Sequence, residues 1–178
     1  MASENTSNSV PTNAEGINGA STNGAPTNGT SQPPRSVADL PPAALDLAAK
    51  LFDLAREGNT NTLQQYISAG VPKNLTNSTG DTLLMLTSYH GHAETAKMLL
   101  DAGADPNALN ARGQSPIAGA VFKGYEDVVK VLYEAGADVA AGQPNAVDCA
   151  RMFKRDGVLE LFGVERGEGT EVRVNGQA

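Results

Sequence analysis

From Leu45 onward the apolar residues come in short bursts at helical spacing, punctuated by glycines. In Ala93–Asp101 the residues Ala96, Leu99 and Leu100 recur so as to mark one buried stripe of a helix. Gly103 follows that burst, where a left-handed C-cap needs no Cβ. Leu83–Tyr89 reads as a shorter helix just before it, with Gly91 between the two. Thr82 and Ser115 each precede an apolar run, where a hydroxyl can cap a helix. Leu45–Ala55 predicts a further helix with Leu47, Leu51, Phe52 and Leu54 on its dry face and Asp46, Lys50, Asp53 and Arg56 on its wet one.

The pattern repeats. Gly58, Gly91, Gly124 and Gly157 stand at one constant interval, and Gly70, Gly103 and Gly136 keep the same interval. Gly80 and Gly113 form a third series, with Ala146 at its next step. Neither helix of a unit can bury its stripe alone, so neighbouring units must stack. The small residues Ala102, Ala118, Gly119 and Ala120 permit close approach.

Two stretches, Gly80-Asp81-Thr82-Leu83-Leu84-Met85 and Gly113-Gln114-Ser115-Pro116-Ile117-Ala118, resemble the G-x-T-P-L-H opening of an ankyrin repeat, and the interval between them is the length of that repeat. Gly91–Leu100 and Gly124–Tyr133 resemble the central G-H-x-E-V-V-x-L-L-L stretch of the family, and Gly103–Ala108 its G-A-D-x-N-A finger. The resemblance covers roughly residues 44–162 and is strongest over 80–136. It implies an all-α solenoid of stacked helix-turn-helix units with short finger loops, in repeats of about 47–79, 80–112, 113–145 and 146–162. The outer two would be caps with polar outer surfaces. In the last of them Arg151, Lys154, Arg155 and Asp156 are placed on the first helix, and the second helix stops at Phe162.

Composition sets the limits of the folded part. Residues 1–36 are mainly Asn, Ser, Thr, Gly, Ala and Pro, with Val10 and Ile17 as the bulky aliphatics, which is too little apolar surface to offset chain entropy. They are expected to be a disordered tail, as are residues 163–178. The sequons at Asn5, Asn28, Asn74 and Asn77 are read as products of an Asn/Thr-rich composition. Without a signal-peptide layout or a bilayer-length apolar run, the expected compartment is cytoplasmic or nuclear. The formal charge of -7 argues against nucleic acid and anionic membranes as partners, and the chain is read as a monomer. Over residues 37–162 there are 10 basic and 15 acidic side chains, a difference of -5. Glu94, Asp101, Glu126, Asp127 and Glu134 fall on second helices, which the resemblance makes the convex, solvated side.

Catalytic chemistry finds little support. His90 and His92 flank Gly91, but an i, i+2 pair across a helix-ending glycine is not expected to converge, and no third ligand has metal spacing. Cys149, expected at a helix start, lies two repeats from either His and reads as a small buried hydrophobe. Gly163–Gly169 lacks the G-K-[ST] ending of a phosphate loop. The chain is therefore expected to be neither an enzyme nor a cofactor carrier.

What remains is recognition. The resemblance implies a concave face of finger tips and first-helix ends, which here selects Arg56, Glu57, Tyr89, His90, Phe122 and Lys123. From the fingers it adds Thr76, Ser78, Thr79, Asp81, Leu109, Ala111, Arg112 and Gln114. Tyr89 and Phe122, one repeat apart, should be neighbours and resemble a hot spot with a polar rim. The expected function is a protein-binding adaptor. The competing reading is an escort chaperone for a basic partner such as a ribosomal protein.

Overall fold

The computed structural model describes residues 36–164, all of them in helices, turns and loops apart from isolated β-bridges. The expected tail over residues 1–35, and residues 165–178 of the C-terminal one, lie outside the described part. Eight helices follow one another in pairs: α1 Pro42–Glu57 with α2 Thr60–Ser68, α3 Leu83–Tyr89 with α4 Ala93–Asp101, α5 Pro116–Lys123 with α6 Glu126–Glu134, and α7 Ala146–Met152 with α8 Asp156–Leu161. The odd-numbered helices pack side by side in one layer and the even-numbered ones in a second.

The local chemistry sets the starts. Thr82 and Ser115 accept hydrogen bonds from the amides of Met85 and Ala118, and Asn145 does the same for Asp148. Helix α1 begins three residues earlier than the leucine pattern suggests, because Pro42 at its first position has the φ a helix needs and no amide to leave unpaired. A 3-10 turn over Val37–Asp39 precedes it, closed by a capping box between Ser36 and Asp39.

The core runs unbroken through both layers. Leu51, Leu84, Ile117 and Ala150 of the first helices and Leu63, Leu99, Leu132 and Leu159 of the second are buried. Small residues let the layers close: Ala55, Ala96, Ala120 and Ala146 have no exposed surface. A second device locks neighbouring pairs. The glycine after a first helix lies against the residue that opens the next pair's second helix, with His92 on Gly58, Tyr125 on Gly91 and Arg155 on Gly124. His92 also joins the carbonyl of Arg56 through Nε2 at 2.7 Å, and the hydroxyls of Thr60 and Thr95 meet at 2.7 Å.

The fourth pair corrects the sequence register. The step from the cap Thr82 to the cap Ser115 is one full period, but the step from Ser115 to the cap Asn145 falls three residues short of it. The finger before α7 is shorter by that amount, and the whole pair moves forward. Ala146 opens α7 instead of occupying a finger turn, and Gly157 lies inside α8. The left-handed position of Gly91 and Gly124 is taken by Lys154 at φ 52°. Arg151 remains on α7, whereas Lys154 and Arg155 fall in the turn and Asp156 starts α8.

Candidate functional site

The fingers are built by two asparagines one period apart. Asn77 Oδ1 accepts from the amides of Thr79 and Asp81, and Asn110 Oδ1 accepts from those of Arg112 and Gln114. Each thus clamps its own turn. Neighbouring fingers are then stitched together: the Ala111 amide donates to the Thr79 carbonyl, and the Gln143 amide to the Gly113 carbonyl. Asn110 Nδ2 donates to Asp81 Oδ1 at 2.8 Å, while Thr79 Oγ1 and Asn77 Nδ2 donate to Oδ2.

Burial by itself would raise the Asp81 pKa, but the hydrogen bonds from Thr79, Asn110 and Asn77 and the charge of Arg112 outweigh it and hold it below the ordinary 3.8. A carboxylate depressed in the folded state stabilises the fold above its unfolded pKa, and that contribution is lost as pH falls through the folded one. The stability gap between the wild type and Asp81→Asn should therefore be present at about pH 6 and shrink as pH falls below the ordinary carboxylate range. Chemical denaturation at a series of pH values reads this directly, and a gap that does not change with pH would contradict it.

Between the fingers and the C-terminal ends of α3 and α5 lies a cavity of about 380 Å³. Met85, Leu86, Ala118, Gly119 and Cys149 form its apolar floor and walls, with Tyr89 and Phe122 at its sides and Asp81, Asn110, Arg112 and Gln114 supplied by the fingers. Of the residues selected from the sequence, the structure brings Asp81, Tyr89, His90, Arg112, Gln114 and Phe122 onto this one cavity. Lys123 stands at its edge, its Nζ 5.1 Å from the centre of the Tyr89 ring.

The other selected residues lie apart from the cavity lining. Arg56 is engaged by Asp53 at 2.6 Å, with Glu57 beside it at the end of α1. The carbonyl of Thr76 accepts from the Val37 amide, so its backbone belongs to the lead-in segment. Ser78 is exposed in the first finger, and Leu109 packs near Gly142 in the shortened one.

The aromatic pairing differs from the expectation. Tyr89 and Phe122 line the same cavity, but the edge contact of Phe122 is with Phe153, at 5.1 Å and 88°, while Tyr89 meets the His90 ring at 5.8 Å. Met152 and Phe153 are the residues that sequence reasoning missed. At the ends of the first helices, Tyr89, Phe122 and Met152 occupy one equivalent position, and His90, Lys123 and Phe153 the next. Tyr89, Phe122, Met152 and Phe153 are 43%, 47%, 66% and 39% exposed, forming a row of large apolar side chains in water. Their signal was present, but only for a shortened step at the last finger.

The rings of His90 and His92 run parallel with centroids 6.4 Å apart. Burial, and then the charges of His92, Arg56 and Lys123, lower the His90 pKa. Among the described residues no group of three or more His, Cys, Asp or Glu side chains converges. Cys149 lies within α7 and not at its start, is buried, and has its thiol pKa raised by burial and by Asp148. That is the opposite of what activates a nucleophile.

The family model for ankyrin repeats matches residues 51–143 in 3 copies. The chain belongs to the ankyrin-repeat family. A Pseudomonas aeruginosa protein named for ankyrin repeats is 49% identical over 61 residues, which are 32% of this chain and 36% of that protein. The chain thus spans about a third of the length of the curated relative it matches. Ankyrin repeats generally serve as protein-interaction modules and are typically non-catalytic, and no described helix is long and apolar enough to cross a membrane.

Proposed function

We propose that this ankyrin-repeat chain is a non-catalytic adaptor that holds a protein partner on its concave face, at the cavity between the fingers and the ends of α3, α5 and α7. The carrying observation is the row Tyr89, Phe122, Met152 and Phe153, exposed beside an apolar cavity. Interface hot spots favour large aromatic anchors in pockets with polar surroundings, and the fingers supply the latter. The working compartment is the cytoplasm or the nucleus, and the chain acts as a monomer.

The rival reading, an electrostatic escort for a basic partner, would use the convex side. Helices α4, α6 and α8 carry Glu94, Asp101, Glu126, Asp127, Glu134, Asp156 and Glu160 against Lys97 and Lys130, and both lysines are paired within their own helix. The two readings separate on a convex charge reversal. Partners captured by the wild type should be recovered at equal yield by Glu126→Lys/Glu134→Lys, and should survive a rise in ionic strength. Loss of the partner in that variant, with steep salt sensitivity, would favour the escort.

A further inference from the structure

We infer that the occupant of the groove is an acidic protein segment that inserts one large apolar side chain between Tyr89 and Phe122. The inference rests on the concave-face reading and adds the chemistry of what binds there. Its ground is the way charge is divided over the fold. Over residues 37–162 the whole difference of -5 falls on α4, α6 and α8, which carry 7 acidic side chains against 2 basic ones. The remaining 8 acidic and 8 basic side chains balance.

At the cavity the lining itself is balanced, Asp81 against Arg112, and Lys123 at the edge adds a positive charge. Lys123 lies over the Tyr89 ring, Arg112 lines the cavity, and His90 feels the positive charge of both Arg56 and Lys123. Lys154 follows Phe153 at the C-terminal end of the row. Among the described residues neither Lys123 nor Arg112 has a salt bridge. Of the nearby carboxylates, Asp81 stays ionised beside Arg112 and offsets part of its charge, and Asp53 holds Arg56, which leaves Lys123 as the cation at the edge of the groove without a salt bridge. Glu57 lies at the far end, where α1 closes.

An acidic segment is thus repelled by the back of the solenoid and meets a balanced front, where Lys123 at the edge of the apolar cavity attracts it. A basic segment meets the reverse. Complementary potentials of this kind set on-rate and orientation, while the buried anchor supplies affinity.

The test is a random peptide library displayed on phage and selected on the immobilised full chain at low salt. Three proteins are used in parallel: the wild type, Phe122→Ser/Met152→Ser and Arg112→Glu/Lys123→Glu, each checked for an unchanged melting transition. The wild type should enrich sequences with a large apolar residue flanked by Asp or Glu. The first variant should retain them at least tenfold more weakly, and the second should shift the selection toward Lys and Arg. Peptides lost in Phe122→Ser/Met152→Ser but not enriched in Asp or Glu would overturn the acidic occupant and leave the concave face standing. Acidic peptides held equally by all three would overturn both, and so would a selection that enriches nothing. A dimer in sedimentation that dissociates in Phe122→Ser/Met152→Ser would make a second copy the occupant and overturn the inference.

Discussion

The double variant Tyr89→Ala/Phe122→Ala should lose its captured partners while keeping its fold. Truncating a hot-spot residue costs about 2 kcal/mol or more, which corresponds to roughly 30-fold in affinity. Both rings are nearly half exposed, so their removal takes little from the core; the helix positions behind them, Leu84, Leu86 and Ile117, are buried and untouched. A loss of about 1 kcal/mol, a few degrees of melting temperature, is the expected cost in stability. Quantitative affinity capture beside thermal melting checks the two halves together. Equal recovery of the same proteins from variant and wild type would place the interface elsewhere, and a large drop in melting temperature would mean that the rings serve the stack.

Two glycine substitutions should separate backbone strain from inter-repeat packing. Gly91 and Gly136 both lie in the left-handed region, at φ 85° and 83°. A Cβ at Gly136 would meet nothing within 4 Å, whereas one at Gly91 would lie 2.9 Å from the Tyr125 ring of the next pair. Gly136→Ala should cost about 1–2 kcal/mol, the strain of a left-handed L-residue. In Gly91→Ala a further ~1–3 kcal/mol of overpacking is added, because the ring that locks pair to pair must move. Melting temperatures should fall by about 4–8 °C and on the order of 10–20 °C respectively. Equal losses would show that the glycine–ring contacts do not hold the stack together.

Much of this fold can be read from the chain because its rules are local and repeat. The boundaries of α3 and α4, the caps Thr82 and Ser115, and the acidic second helices follow from periodicity and side-chain chemistry in a constant frame. The same frame failed at the last finger. Gly157 continued the series by coincidence, and it hid that Lys154, a residue with no reason to be sought at a positive φ, holds the equivalent place. With the register three residues off, Met152 and Phe153 could not be recognised as the continuation of Tyr89 and Phe122. The candidate site was legible as a set of finger and helix-end positions, six of which share one cavity. The partner of the Phe122 ring was not legible, because it depends on the length of a loop that periodicity assumes constant. The roles of Asn77 and Asn110 were present as a pair one period apart, but an asparagine that clamps a turn looks like any polar loop residue until its amides are placed.

The most direct test of the concave-face account is site-specific photo-crosslinking. A benzophenone side chain is introduced at position 122 on the concave row and, separately, at position 130 on the exposed side of α6, and each protein is irradiated with its captured partner. The account predicts a covalent adduct of one partner mass from position 122 and none from position 130. An adduct from position 130 without one from position 122 would contradict it.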